Sequence, residues 1–210
     1  MKDLLQARLA ELRDRMCEQE IDTALVTDDD NIFYLTGYYD YLHMEFGRPT
    51  IFVVHQQGQS LLITPQIDEN SARSLAHCDK IFSWNDGIGD EWREKLPNLI
   101  KPSKKIGIET DRIPQVVLSY VHSLGSKEKF VNFSEILDEM RMIKSPEELQ
   151  VARHAGQVAN AMMKAGREAI IDGRPEFEVA IATSAAGTRS AAELLDLSLI
   201  HISEPTRRRG

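Results

Sequence analysis

The stretch "TIFVVHQQGQSLLIT", Thr50 to Thr64, decides how the rest of the chain is read. Two apolar runs, "TIFVV" and "SLLIT", flank a polar loop, "HQQGQ", that contains Gly58 and has the length of a hairpin connection. The pair therefore reads as antiparallel strands, and any sheet that includes it is mixed.

Outward from the hairpin, apolar runs of strand length alternate with runs of helical spacing. Leu5, Leu9, Leu12 and Met16 recur at helical steps, which predicts an amphipathic helix from about Lys2 to Gln19. "TALVT" reads as a strand, and the turn-forming "DDDN" after it can cap a short helix, "NIFYLTG". An EF-hand loop needs alternating ligands, a central glycine and a terminal glutamate, and "DDDN" is followed by none of these. Beyond the hairpin come "QIDENSARSLA" as a helix, "KIFSW" as a strand, "DEWREKLPNLI" as a helix and "KKIGIE" as a strand. "IPQVVLSYVHSL", closed by Gly125, "KFVNF" and "SEILDEMRMI" then continue as helix, strand and helix. This alternation predicts an α/β domain, a mixed sheet covered by helices.

The pattern changes at "IKSPEELQVARHAG". Ser145 can cap a helix, Pro146 suits its first position, and Glu148 completes a capping box. The helix is expected to run to about Ile171, with Leu149, Ala152, Ala155, Ala159, Met162 and Met163 on a face of mostly small residues and Gly173 as its stop. Pro175 opens a second helix, "PEFEVAIATSAAG". Two helices in succession after a finished α/β pattern mark a domain boundary near Lys144.

Composition bounds the function. The 210 residues are 42% apolar and 28% charged, ordinary for a folded globular protein. The net charge of −8, with no basic block before the last few residues, argues against nucleic acid as a partner. Cys17 and Cys78 are far apart and read as reduced thiols. The charged amino terminus lacks the apolar centre of a signal peptide, and no run reaches the ~18 apolar residues of a membrane span. These features predict a cytoplasmic protein with no membrane partner. The six histidines form no HxxxH or HExxH pair, and no P-loop or GxSxG occurs. Ser184 sits on a predicted helix with no base near it in sequence. No catalytic or metal-ligating residue is assigned within the chain.

Taken together, "NIFYLTG", "EFGRP", "IGIE" with Asp111 after it, "MRMIKSPEE", "ARHAG" and "PEFEVA" resemble the creatinase and Xaa-Pro peptidase family, and its creatinase branch most. The likeness runs from the first helix to about Ala182. It implies an amino-terminal α/β domain over 1–143 and, over 145–196, the first two helices of a truncated pita-bread catalytic domain. The tail 197–210, "LSLIHISEPTRRRG" with Leu197 at its start, resembles translated sequencing-adapter read-through and is expected to be non-native.

The resemblance also implies a role for Phe46 and Arg48. In creatinase-like enzymes the matching residues reach from the amino-terminal domain into the active site of the partner subunit, so both are expected to bind substrate in a homodimer. A guanidinium fork can grip a carboxylate bidentately, and Pro49 after it fixes the local backbone. The bland reading is a solvated arginine or one paired with Glu45.

For activity, the resemblance implies a hydrolase cleaving a C–N bond of a small carboxylate-bearing substrate, with creatine to sarcosine and urea favoured. The alternatives are a metal-dependent Xaa-Pro peptidase and a non-catalytic pita-bread module that binds peptides or partners. Peptidase members hold two divalent ions, manganese, zinc or cobalt, on two Asp, one His and two Glu of later strands, and creatinase-like members use a later histidine. The chain as given is therefore expected to be inactive alone.

Overall fold

The computed structural model describes residues 2–39, 48–85 and 92–195. The chain divides into two compact units, Met1–Met142 and Ile143–Gly210.

Among its described residues the first unit is built on six strands: β1 (Thr23–Val26), β2 (Ile51–His55), β3 (Ser60–Pro65), β4 (Lys80–Trp84), β5 (Ile106–Ile108) and β6 (Phe130–Asn132). Their order across the sheet is β4-β3-β2-β1-β5-β6. β2 lies antiparallel to both β1 and β3, while β1 with β5, β5 with β6 and β3 with β4 are parallel. The expected mixed sheet is present, and the hairpin is the source of its antiparallel pairs. Among the described residues six α-helices accompany it: α1 (Lys2–Glu18), α2 (Asp29–Thr36), α3 (Glu69–Leu75), α4 (Trp92–Ile100), α5 (Gln115–Ser123) and α6 (Ser134–Met142).

Residues of the four inner strands, β3, β2, β1 and β5, are buried on both faces because helices cover both, while the edge strands β4 and β6 are partly exposed. Ala24, Val26, Phe52, Val54 and Leu62 point to one core with Leu12 and Met16 of α1, Ile32 and Leu35 of α2, and Leu137 of α6. Leu25, Ile51, Val53, Leu61 and Ile63 point to the other, against Trp92 and Leu96 of α4 and Val117 and Val121 of α5. The period of two thus sorts consecutive apolar residues into two cores, which is why the runs read as continuous rather than alternating. Gly107 in β5 is required by a close approach: a Cβ there would meet Cγ of the buried Phe133 ring at 3.0 Å.

Two local features show side chains completing backbone. The Asp28 carboxylate accepts the Asn31 N–H at 3.0 Å and caps α2, as the "DDDN" reading predicts. Pro97 lies inside α4 and lacks the N–H that an α-helix directs at the carbonyl four residues earlier, Arg93. The Tyr120 hydroxyl of α5 donates to that carbonyl at 2.8 Å. A neighbouring helix therefore satisfies the acceptor that proline leaves open.

Some boundaries differ from expectation. α5 ends at Ser123 with Leu124 in right-handed geometry and its N–H on the Val121 carbonyl, so the helix closes before Gly125.

The second unit contains α7 (Pro146–Ala169) and α8 (Glu176–Leu195). The Ser145 hydroxyl accepts the Glu148 N–H at 3.2 Å, and the Glu148 carboxylate accepts the Ser145 N–H at 2.8 Å, forming the capping box read from the sequence. α7 stops at Ala169, ahead of Gly173. The two helices pack closely through small residues: a Cβ on Gly166 would lie 2.7 Å from Thr183 Oγ1. Among the described residues no helix is long and apolar enough to cross a membrane.

Candidate functional site

Strand register gathers several chain segments at one edge of the sheet. Val26 faces Phe52, Leu25 faces Ile108, Ile51 faces Ile63, Ile108 faces Asn132 and Pro65 faces Trp84. The carboxyl ends of five strands and the amino end of β2 consequently share this edge. Arg48, Pro49 and Thr50 lead into β2 there.

Pro49 and Thr50 are buried, and the Thr50 hydroxyl shares a hydrogen bond with the Thr64 hydroxyl at 3.2 Å, tying the entry of β2 to the end of β3. Arg48 is half-buried on this anchored segment. A rigid base beneath an arginine is what carboxylate binding needs, because little chain entropy is lost when it is engaged. Phe46, the other expected binding residue, and Glu45 lie outside the described residues.

The same edge holds a polar network that sequence reasoning missed. Glu109, just past β5, is fully buried. Its Oε2 accepts the Thr27 N–H at 2.6 Å and the Asp28 N–H at 3.0 Å, and its Oε1 accepts the Asn31 side-chain amide at 2.5 Å. Asn31 Oδ1 in turn accepts Arg141 Nη1 at 2.5 Å. Arg141 also lies 3.6 Å from Asp30 and 3.9 Å from Asp28. Burial raises the Glu109 carboxyl above its ordinary range, against the three donors, which favour the ionised form. In sequence Glu109 closes the family-like "IGIE", as Asn31 and Arg141 lie in "NIFYLTG" and "MRMIKSPEE", but nothing local says which amides the glutamate meets.

At the other edge, His55 Nδ1 pairs with the Thr23 hydroxyl at 2.9 Å, and that hydroxyl pairs with Ser103 at 2.6 Å. Burial, with Arg13 nearby, pushes His55 below the usual histidine range. Asp79 Oδ2 accepts both the N–H and the hydroxyl of Ser60, at 2.7 and 2.9 Å, which holds its carboxyl below the usual range. Beside it, burial pushes the Cys78 thiol up to about 11, far from a reactive thiolate at neutral pH. Ser184 is exposed on α8.

Among the described residues no group of three or more His, Cys, Asp or Glu side chains is placed to hold a metal ion. The donor set for a divalent ion is therefore not met within them. Among the described residues the arrangement is a braced polar edge rather than an assembled set of reacting groups.

The Creatinase/Prolidase N-terminal domain family matches residues 8–143. The creatinase of Bacillus sp. (strain B-0618) is 26% identical over 195 residues, 91% of this chain and 46% of that protein. The Xaa-Pro dipeptidase of Pyrococcus horikoshii is 21% identical over 182 residues, 85% of this chain and 46% of that protein. Among solved structures, the prolidase from Pyrococcus horikoshii OT3 superposes with a TM-score of 0.71 at 19% identity, covering 87% of this chain and 48% of that one. That likeness establishes the fold. The chain spans about half the length of the curated relatives it matches.

Proposed function

Because the chain belongs to the Creatinase/Prolidase N-terminal domain family, we propose that it is the amino-terminal portion of a hydrolase that cleaves a C–N bond in a small carboxylate-bearing substrate. The observation that carries this reading is the half-buried Arg48 on the anchored entry to β2. Its planar fork matches a carboxylate, and a bidentate grip would fix the distance from that carboxylate to the scissile bond. Phe46 is assigned with it to substrate binding. Both residues act in the active site of a second subunit of a cytoplasmic homodimer, and the reacting groups belong to the part of the relatives that this chain does not span.

Creatine, cleaved to sarcosine and urea, is the favoured substrate. The likeness to the Bacillus creatinase over most of the chain supports it, as do the "FGRP" and "MRMIKS" motifs. An Xaa-Pro dipeptide is the second reading, favoured by relatives named Xaa-Pro dipeptidase; it too presents a carboxylate to Arg48. In that case two divalent ions would be held outside the described residues.

The test is an assay of a polypeptide in which this chain continues into a complete catalytic half. Release of urea from creatine, unaffected by chelator, is expected. Chelator-sensitive cleavage of Xaa-Pro dipeptides without creatine turnover would overturn creatine in favour of the peptidase. Binding of peptides without turnover of either substrate would sink the enzymatic reading.

A further inference from the structure

Four consecutive residues near the end of α6 are tied to three parts of the first unit: α1, α2 and the segment before α5. Asp138 pairs with Arg112 at 2.9 Å, Glu139 with Arg15 of α1 at 2.8 Å, the Met140 carbonyl accepts the Tyr34 hydroxyl at 3.0 Å, and Arg141 donates to Asn31 at 2.5 Å. Met142 and Ile143, which follow, are 68% and 85% exposed. The anchoring is thus concentrated in the turn after which the second unit begins.

These ties are unequal. The Arg15 and Arg112 pairs are solvent-exposed and contribute little individually. The Arg141 tie ends on Asn31, which is fully buried and whose amide is itself held by the fully buried Glu109. Asn31 cannot turn away from Arg141 without presenting its oxygen to the Glu109 carboxylate and its amide hydrogens to a guanidinium. Both contacts would be repulsive, so the Glu109 carboxylate fixes the orientation of Asn31, and Asn31 fixes Arg141.

We propose that the Glu109–Asn31–Arg141 relay is a hinge clamp. Glu109 is a positioning residue that acts through Asn31 to hold the last turn of α6, and so sets the point at which the chain leaves the first unit. The device is independent of which substrate the parent enzyme takes.

The experiment uses the 210-residue chain and reads cleavage of the Lys144–Ser145 bond by a lysine-specific protease, followed by mass spectrometry. Arg141→Ala and Asn31→Ala are compared with Val121→Ala, a core truncation on the opposite face of the sheet, at temperatures equally far below each variant's Tm. Each relay variant is expected to be cut about tenfold faster than both the parent and Val121→Ala, through local release of the final turn. The double variant should be cut no faster than Arg141→Ala alone, because Arg141→Ala already removes the contacts to Asn31, Asp30 and Asp28. Should Asn31→Ala fail to fold, Arg141→Ala against Val121→Ala decides. Cleavage of Arg141→Ala no faster than Val121→Ala, or single effects that multiply in the double variant, would overturn the clamp.

Discussion

Glu109 accepts the backbone N–H of Thr27 at 2.6 Å, joining the ends of the adjacent parallel strands β5 and β1. A fully buried carboxylate surrounded by donors is costly to alter, since each donor loses its partner in a place water does not reach.

Glu109→Gln keeps one oxygen for the Thr27 and Asp28 amides but turns an NH2 toward the Asn31 amide, donor against donor. Stability in urea unfolding at neutral pH should fall by about 1–3 kcal/mol. The pH dependence has a defined sign. The folded-state pKa is raised by burial, so this group's contribution is fully present below the unfolded carboxyl range and is lost as pH rises through the folded value. The gap between parent and Glu109→Gln should therefore narrow with rising pH across that window, and a constant gap would refute the assignment.

His55 titrates with the opposite consequence. Its folded pKa is depressed, so the stability it contributes is present above the unfolded histidine value of about 6.5 and is lost as pH falls from there through the folded value. Urea midpoints of the parent should decline over that interval, and His55→Gln should remove that part of the slope. An unchanged slope would place the titration elsewhere.

Gly107→Ala should destabilise the first unit by about 1–3 kcal/mol, because the new methyl meets the Phe133 ring at 3.0 Å in a filled core. Phe133→Leu in the same chain should relieve part of the cost, a coupling measurable in a double-mutant cycle. Additive losses would show that the two side chains do not compete for the same space.

The second unit is expected to exchange amide hydrogens faster than the first. Val151, Met163, Ile170 and Phe177 on or beside its helices are 60% exposed or more. Limited proteolysis should leave a resistant fragment ending near Lys144. Equal protection on both sides of that residue would contradict the division.

Arg48 is tested in a polypeptide in which this chain continues into a complete catalytic half. Arg48→Ala should lower kcat/KM by about 30- to 1000-fold, about 2–4 kcal/mol, with little change in Tm, and Arg48→Lys should regain only part. Mixing Arg48→Ala subunits with subunits defective only in their reacting groups should restore activity if the arginine serves its partner's site. Unchanged kinetics in Arg48→Ala would return the residue to the surface-charge reading.

The elements themselves were legible because their causes are local. The hairpin loop, the Asp28 cap and the Ser145–Glu148 capping box each involve residues a few positions apart, and alternation of strand and helix periods was enough to predict a mixed sheet covered by helices. Arg48 could be singled out from its motif, but its seat on the Thr50–Thr64 bond could not. Nor could the Tyr120 hydroxyl on the Arg93 carbonyl, which makes Pro97 tolerable inside a helix. Glu109 is the plainest case: Thr27 is 82 positions away in sequence, and they meet only because β1 and β5 pair in one parallel register. Sterics and periodicity act over a turn or a strand and are written into neighbouring residues. Register is selected by which side chains fill both faces of the sheet together, a choice that exists only once the whole chain has packed.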